Sequence, residues 1–339
     1  MNFLLAGLLA LQGVTISAGA PQQPDTTSPK SAAEARRDSV RARRDSMRAE
    51  RGRRPPKRLA VTAEHLASAF RTPAARTLLE RVRAARMTAD STLVSYDAKG
   101  YARISAGLGF KKIGRDRLLF RHETAARVRW ERGKGVWADI TGRRTAVPMI
   151  KEARAEIESD NDIGGMVPIP YYPGSDALWV GNGLARREVD EREIVHPLAV
   201  GSEAYYTYAI GDSIIYRLPD GSEIRLVELR VSAREPRWNL VVGSFWFDAA
   251  SAQLVRAAYR LSVPMDIVAV AAADGDDDIP RWLRPMTATI KGITVEYGLH
   301  KGRWWMPRLQ AAEGEAQVSF MRVPFRYEES YRYASVNGT

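Results

Sequence analysis

The chain contains four histidines, His65, His122, His196 and His300, and no cysteine. Without thiolates there is no disulfide, no thiol nucleophile and no Cys-ligated zinc or iron–sulfur site. Histidine metal sites need spacings such as His-x-x-x-His or His-Glu-x-x-His, and no pair has one. Glu193-x-x-His196 is the nearest approach and reads as a solvated contact, with His196-Pro197 marking a strand entry. The run Asp274-Gly275-Asp276-Asp277-Asp278 offers the hard oxygen ligands that calcium takes. It does not match the twelve-residue calcium loop, whose closing position would fall on Pro285, and is expected to be a mobile, solvated loop. No Gly-x-Ser-x-Gly elbow and no Gly-Lys-Ser/Thr phosphate loop occurs. Gly107-Leu108-Gly109 runs on to Lys112 without the third glycine of a dinucleotide loop. Glu313 and Glu315 are a carboxylate pair of a kind that any β-rich chain contains. The expectation is therefore no metal, no cofactor and no catalysis, with a hydrolase assembled from distant residues left as an alternative.

The aromatic residues carry more information. Most of the tryptophans, with Tyr205, Tyr206 and Tyr208, fall in segments of strand character. Rings at such positions fill cores, or line an apolar groove that accepts an acyl chain, glycan or hydrophobic peptide. Trp130, Trp137, Tyr206, Trp246, Tyr259 and Trp304 are the candidate ligand-binding residues. Trp304 and Trp305 are adjacent, so on a strand they face opposite sides, and one of them needs cover from a second layer or a partner.

These rings must be positioned by sheet. Thr72-Pro73 is a helix start, and Ala75, Leu78, Leu79, Val82 and Ala85 then recur at helical spacing. From Leu93 the period changes to two. Strands are predicted over 93–98, 101–106, 117–122, 125–131, 136–141, 203–210, 213–218, 223–232, 238–248, 253–262, 287–297, 303–311 and 317–333, with 322–333 read as a strand pair around Pro324. Pro219-Asp220-Gly221-Ser222 is a turn. Residues 150–160 look helical, and 161–202 are irregular, with several Gly and Pro. Strands in succession without intervening helices imply antiparallel sheet and an α+β class.

The chain opens with an apolar run, Phe3 to Leu11, followed by Ala18-Gly19-Ala20, the pattern of a cleaved signal peptide over 1–20. No later run reaches spanning length; the best, Val263 to Ala273, is short and broken by Asp266. The net charge of +11 is concentrated: residues 30–58 hold twelve Lys/Arg against four acids. Residues 21–58 read as a basic tether that could meet an anionic surface such as phospholipid headgroups. Export argues against nucleic acid as its partner. The folded region is expected over 59–339, in the periplasm or associated with the outer membrane.

Two stretches carry a family resemblance. One is the helix Thr72–Arg86 leading to Ser95-Tyr96 and Tyr101; the other is Phe245-Trp246-Phe247-Asp248 returning as Gln253-Leu254-Val255-Arg256-Ala257. Together they resemble the periplasmic lipoprotein-carrier and outer-membrane lipoprotein-sorting proteins, in which an aromatic strand ends in Asp, turns, and returns as Leu-Val-Arg. Trp304-Trp305-Met306-Pro307 is similar to the Trp-x-Pro strands of that group, and of exported amino-terminal regions of larger outer-membrane proteins. The resemblance implies a strongly curved antiparallel sheet, an incomplete barrel, with an N-terminal amphipathic helix and a second short helix over its mouth. It also implies an apolar concavity that holds acyl chains. The expectation is a non-enzymatic envelope module that binds a lipid or an acylated outer-membrane component. The alternative is the soluble assembly part of an outer-membrane complex.

Overall fold

The computed structural model describes residues 56–110, 113–148, 167–170, 189–218, 221–273 and 279–339. The expected signal peptide, nearly all of the tether, the helix at 150–160, Pro219-Asp220, the acidic run and part of the irregular segment lie outside them.

Three helices are described: α1 (Ala63–Ser68), α2 (Pro73–Thr92) and α3 (Ile267–Ala273). Thr62 caps α1 in a reciprocal box with His65. Thr72 caps α2 by accepting from the Ala75 amide, with Pro73 in the first turn where its missing N–H costs nothing. The apolar stripe of α2, Ala75, Leu78, Leu79 and Val82, is buried as its spacing requires. Neither α1 nor α3 was expected. The apolar run that ends at Ala273 turns helical from Ile267, where Asp266 accepts from the amides of Val268 and Ala269.

Eleven strands follow: β1 (Ser95–Phe110), β2 (Ile113–Glu131), β3 (Gly135–Ala146), β4 (Tyr206–Arg217), β5 (Glu223–Ala233), β6 (Val241–Asp248), β7 (Leu254–Leu261), the two-residue β8 (Met265–Asp266), β9 (Met286–His300), β10 (Trp304–Val318) and β11 (Met321–Val336). All belong to one antiparallel sheet, in the order β3-β2-β1-β11-β10-β9-β7-β6-β5-β4, with β8 on β9. The sheet does not close, and β3 and β4 are its ends. Several expected pairs of short strands are single long ones that run through bulges, as where Ile210 gives way to Ser213 in β4. Pro324 is likewise not a break. It sits inside β11, opposite Glu315, and the turn falls earlier, between Val318 and Met321.

One face of this sheet is dry. Tyr208 on β4, Leu229 on β5, Phe245 on β6, Tyr259 on β7, Ile293 on β9, Ala312 on β10 and Phe325 on β11 join the stripe of α2 in one apolar cluster. Strands six steps apart in the sheet can share one core only if the sheet curls strongly around it. Gly314 makes room for that curl, because a Cβ there would lie 2.6 Å from the ring of Phe325, its partner across the pair. Arg83, on the flank of α2, fixes the helix. It binds the carbonyls of Leu198 and Ala199, at 3.1 and 2.6 Å, and the Glu203 carboxylate, at 2.6 Å. The buried hydroxyls of Tyr206 and Tyr208 donate to the carbonyls of Val195 and Pro197 and so satisfy the irregular corner beside them.

Candidate binding site on the concave face

The concave face changes character between β10 and β2. Alternate residues of β11 face inward: Val323, Phe325, Tyr327, Glu329 and Tyr331 are all buried. Register then builds rows across neighbouring strands. One row reads Val295, Gln310, Glu329, Ala102 and Thr124. The next reads Ile293, Ala312, Tyr327, Ile104, His122 and Thr145. A polar seam of Gln310, Glu329, Thr124, His122 and Thr145 is thus laid into an apolar wall, and all five residues are buried.

His122 is held on both sides. Its Nδ1 lies 2.8 Å from the Thr145 hydroxyl and its Nε2 lies 3.0 Å from that of Thr124. Glu329 accepts hydrogen bonds from the hydroxyls of Tyr327 and Tyr331. Burial pushes its carboxyl up to about 7, against the downward pull of those two hydroxyls. The same burial raises both phenols.

Beyond Tyr331 the seam gives way to a ring cluster. Tyr96 stacks on Trp130 with centroids 5.9 Å apart, and Tyr333 meets Tyr96 edge-on at the same distance. Met306, Val128 and Val336 are buried among them, and Trp304 packs against the group. The Tyr333 hydroxyl is buried and has no hydrogen-bond partner among the described residues. The strand beside β11, β1, carries small residues at these levels: Ala98 pairs with Tyr333, Gly100 with Tyr331, and Ala102 with Glu329. At Gly100 the irregular segment crosses the face, because a Cβ there would lie 2.6 Å from the Pro168 carbonyl oxygen. Val167 and Ile169 pack on the ring cluster from that segment.

The six rings singled out from the sequence are not brought to one place. Trp130 and Trp304 meet in the ring cluster. Tyr206 and Tyr259 are buried in the larger core under α2, with Tyr259 stacked on Phe245. Trp246 lies between the inward Phe245 and Phe247 and so faces the convex side, half-buried, opposite Glu228 and Arg256. Trp137 stands exposed on the end strand β3. The residues that the sequence reading passed over are Tyr96, Glu329, Tyr331 and Tyr333. Their signal was available as parity: an acid at 329 falls on the inward phase of a strand whose other inward residues are aliphatic or aromatic.

Among the described residues, no three His, Asp or Glu side chains lie where they would hold a metal ion. His196 is a structural residue in a buried corner rather than at a strand entry, where its Nδ1 accepts from the Leu198 amide at 2.9 Å. No described helix is long and apolar enough to cross a membrane.

No protein-family model and no curated protein matches the chain. Solved structures do. A domain from Vibrio parahaemolyticus named for outer membrane lipoprotein sorting is 11% identical over 77% of this chain and 94% of its own, with a TM-score of 0.21. A LolA superfamily protein from Nitrosomonas europaea is 10% identical over 76% and 93%, with a TM-score of 0.17. The MucA/MucB complex of Pseudomonas aeruginosa contains a chain 8% identical over 77% and 99%, with a TM-score of 0.18. The first carries the group name to which the sequence resemblance pointed.

Proposed function

We propose that the protein is a non-catalytic binding module of the cell envelope, exported to the periplasm, whose concave face holds a hydrophobic ligand such as a lipid or an acylated outer-membrane component. The observation that carries this reading is the juxtaposition on β1, β2, β10 and β11. Rings of Tyr96, Trp130, Trp304 and Tyr333 cluster beside the small residues of β1, next to a seam of buried polar groups. An apolar hollow with a few convergent polar groups is what a ligand site requires. A buried carboxyl that no cation pairs among the described residues adds a desolvation cost that packing does not require. The test is mass spectrometry of solvent extracts from the protein purified after export, with tryptophan fluorescence of the same sample during titration with a long-chain amphiphile. A stoichiometric extracted lipid, or saturable quenching lost in Trp130→Phe/Trp304→Phe, supports the reading. An empty protein whose fluorescence ignores the amphiphile overturns it.

A second reading, an assembly role, is favoured by the ends of the sheet. The outer half of β4 exposes Ile214, Ile215 and Tyr216, and β3 exposes Trp137 and Ile140. Beyond its bridge to Phe70 at Tyr208, β4 has no second neighbour among the described residues, and such an edge with apolar side chains is a template for strand addition by a partner. Cross-linking in intact cells from position 215 would capture that partner, and Ile215→Lys would abolish the product without unfolding the protein.

A further inference from the structure

We propose that the concave face recognises an amphiphile with a positively charged ammonium head, and that Glu329 is the counter-ion for that head. The inference rests on the ligand-binding reading above and narrows it to one head-group chemistry.

The argument begins with how this chain treats its buried acids. Asp190, Glu203, Glu228 and Glu329 are the buried carboxyls among the described residues. The first three each hold an arginine: Arg192 at 2.8 Å, Arg83 at 2.6 Å and Arg230 at 3.0 Å. In all three, burial works to raise the carboxyl, and the hydrogen bonds and charge around it outweigh burial and hold it below its ordinary value. Glu329 departs from the pattern. Its oxygens take only the hydroxyls of Tyr327 and Tyr331, and no Lys or Arg pairs with it among the described residues. A buried carboxylate lacking a counter-charge is costly, and a cation brought by a ligand supplies what Arg83 supplies to Glu203.

The surroundings suit an ammonium in particular. Tyr331 and Tyr333 follow Glu329 on the same face of β11, at about 7 Å per two residues. Tyr96 meets Tyr333 edge-on and Trp130 stacks on Tyr96, so a cation beside Glu329 has ring faces within reach. The unpartnered Tyr333 hydroxyl offers an acceptor to an N–H. On β1, beside the acid and the rings, stand the small residues Ala102, Gly100 and Ala98, with Pro168 lying over Gly100.

The test compares three probes of equal chain length, each below its micelle concentration, by calorimetry on the full chain at about pH 8, where Glu329 is ionised. They are dodecylammonium, the neutral dodecyl maltoside and the anionic dodecanoate. Non-specific attraction to a chain of net charge +11 would favour dodecanoate, so the expected order runs against it. Dodecylammonium should bind at least about tenfold more tightly than the other two. Glu329→Gln should reduce it to the level of dodecyl maltoside. Equal affinities for the three heads, or undiminished dodecylammonium binding in Glu329→Gln, overturns the head-group inference and leaves the ligand-binding reading standing. Failure of all three probes to bind overturns both. The head-group comparison on the unmodified protein decides the matter even if the variant does not fold.

Discussion

Replacing Glu329 by Gln should flatten one limb of the protein's pH–stability curve. The carboxyl stands at about 7 in the folded chain against an ordinary value of 4.5, because it is buried and no cation among the described residues pairs with it. Below 4.5 the folded and unfolded chains both hold the proton, and the group does not affect stability. Between the two values the unfolded chain releases the proton while the folded chain keeps it. Stability therefore falls as pH rises, by about 1.4 kcal/mol per pH unit. Above about 7 both forms are ionised and the loss is complete, on the order of 3 kcal/mol. Gln keeps the shape and an acceptor for one tyrosine hydroxyl but has no charge to desolvate. Urea unfolding of the full chain and of the variant, from about pH 4.5 to about pH 8, yields a difference curve. Carboxylates and histidines elsewhere titrate in both proteins and cancel. The variant should gain about 3 kcal/mol on the wild type across that range. A difference that does not change with pH would refute the claim that Glu329 is a buried carboxyl without a counter-charge.

Other expectations follow from the packing. Trp130→Ala should cost about 3–5 kcal/mol in urea unfolding, whereas Trp137→Ala, on the exposed end strand, should change stability by no more than about 0.5 kcal/mol. Gly100→Ala drives a methyl group against the Pro168 carbonyl and should cost about 1–3 kcal/mol, with Ala102→Gly as a control that removes a methyl group. Arg83→Met strips the buried Glu203 carboxylate of its partner and frees the Leu198 and Ala199 carbonyls, so a loss of about 3–5 kcal/mol at neutral pH is expected. That deficit should shrink in acid, since the arginine is the largest of the influences that hold Glu203 below its ordinary value against burial.

The sheet was legible in the sequence because strand parity is written in residue type. Val227, Leu229 and Val231 alternate with Glu228 and Arg230, and the structure places Leu229 and Val231 in the core, with Leu226 and Glu228 buried on the other face. Helix α2 was legible from its cap and stripe. Strand length was not, because a bulge such as that between Ala106 and Gly107 shifts the phase, and period-two reading then stops early. The helical turn at Ile267 was hidden for a different reason: short apolar runs do not distinguish helix from strand. For the site, ring content alone was a poor guide. Tyr206, Tyr259 and Trp130 have similar sequence surroundings, and only the curl of the sheet sends the first two under α2 and the third beside Tyr96. Which inward residues meet depends on the pairing of β1 with β11, and nothing local to either strand specifies that pairing.

That pairing also orders the events of folding. The hairpins β1–β2–β3 and β9–β10–β11 are local, but they become one sheet only when Tyr96 meets Val336, 240 positions further along the chain. Until β11 has been synthesised, β1 presents a bare hydrogen-bonding edge, and the rings of Tyr96 and Trp130 lack the strand that packs beside them. Asn337 then fastens the seam: its side chain accepts from the amides of Val94 and Ser95, at 2.7 and 3.1 Å, and donates to the Thr92 carbonyl at 2.9 Å. The last strand therefore acts as a keystone. A nascent chain lacking it would be two half-sheets with a shared liability to aggregate, and the concave face would come into existence in the same step that removes that liability.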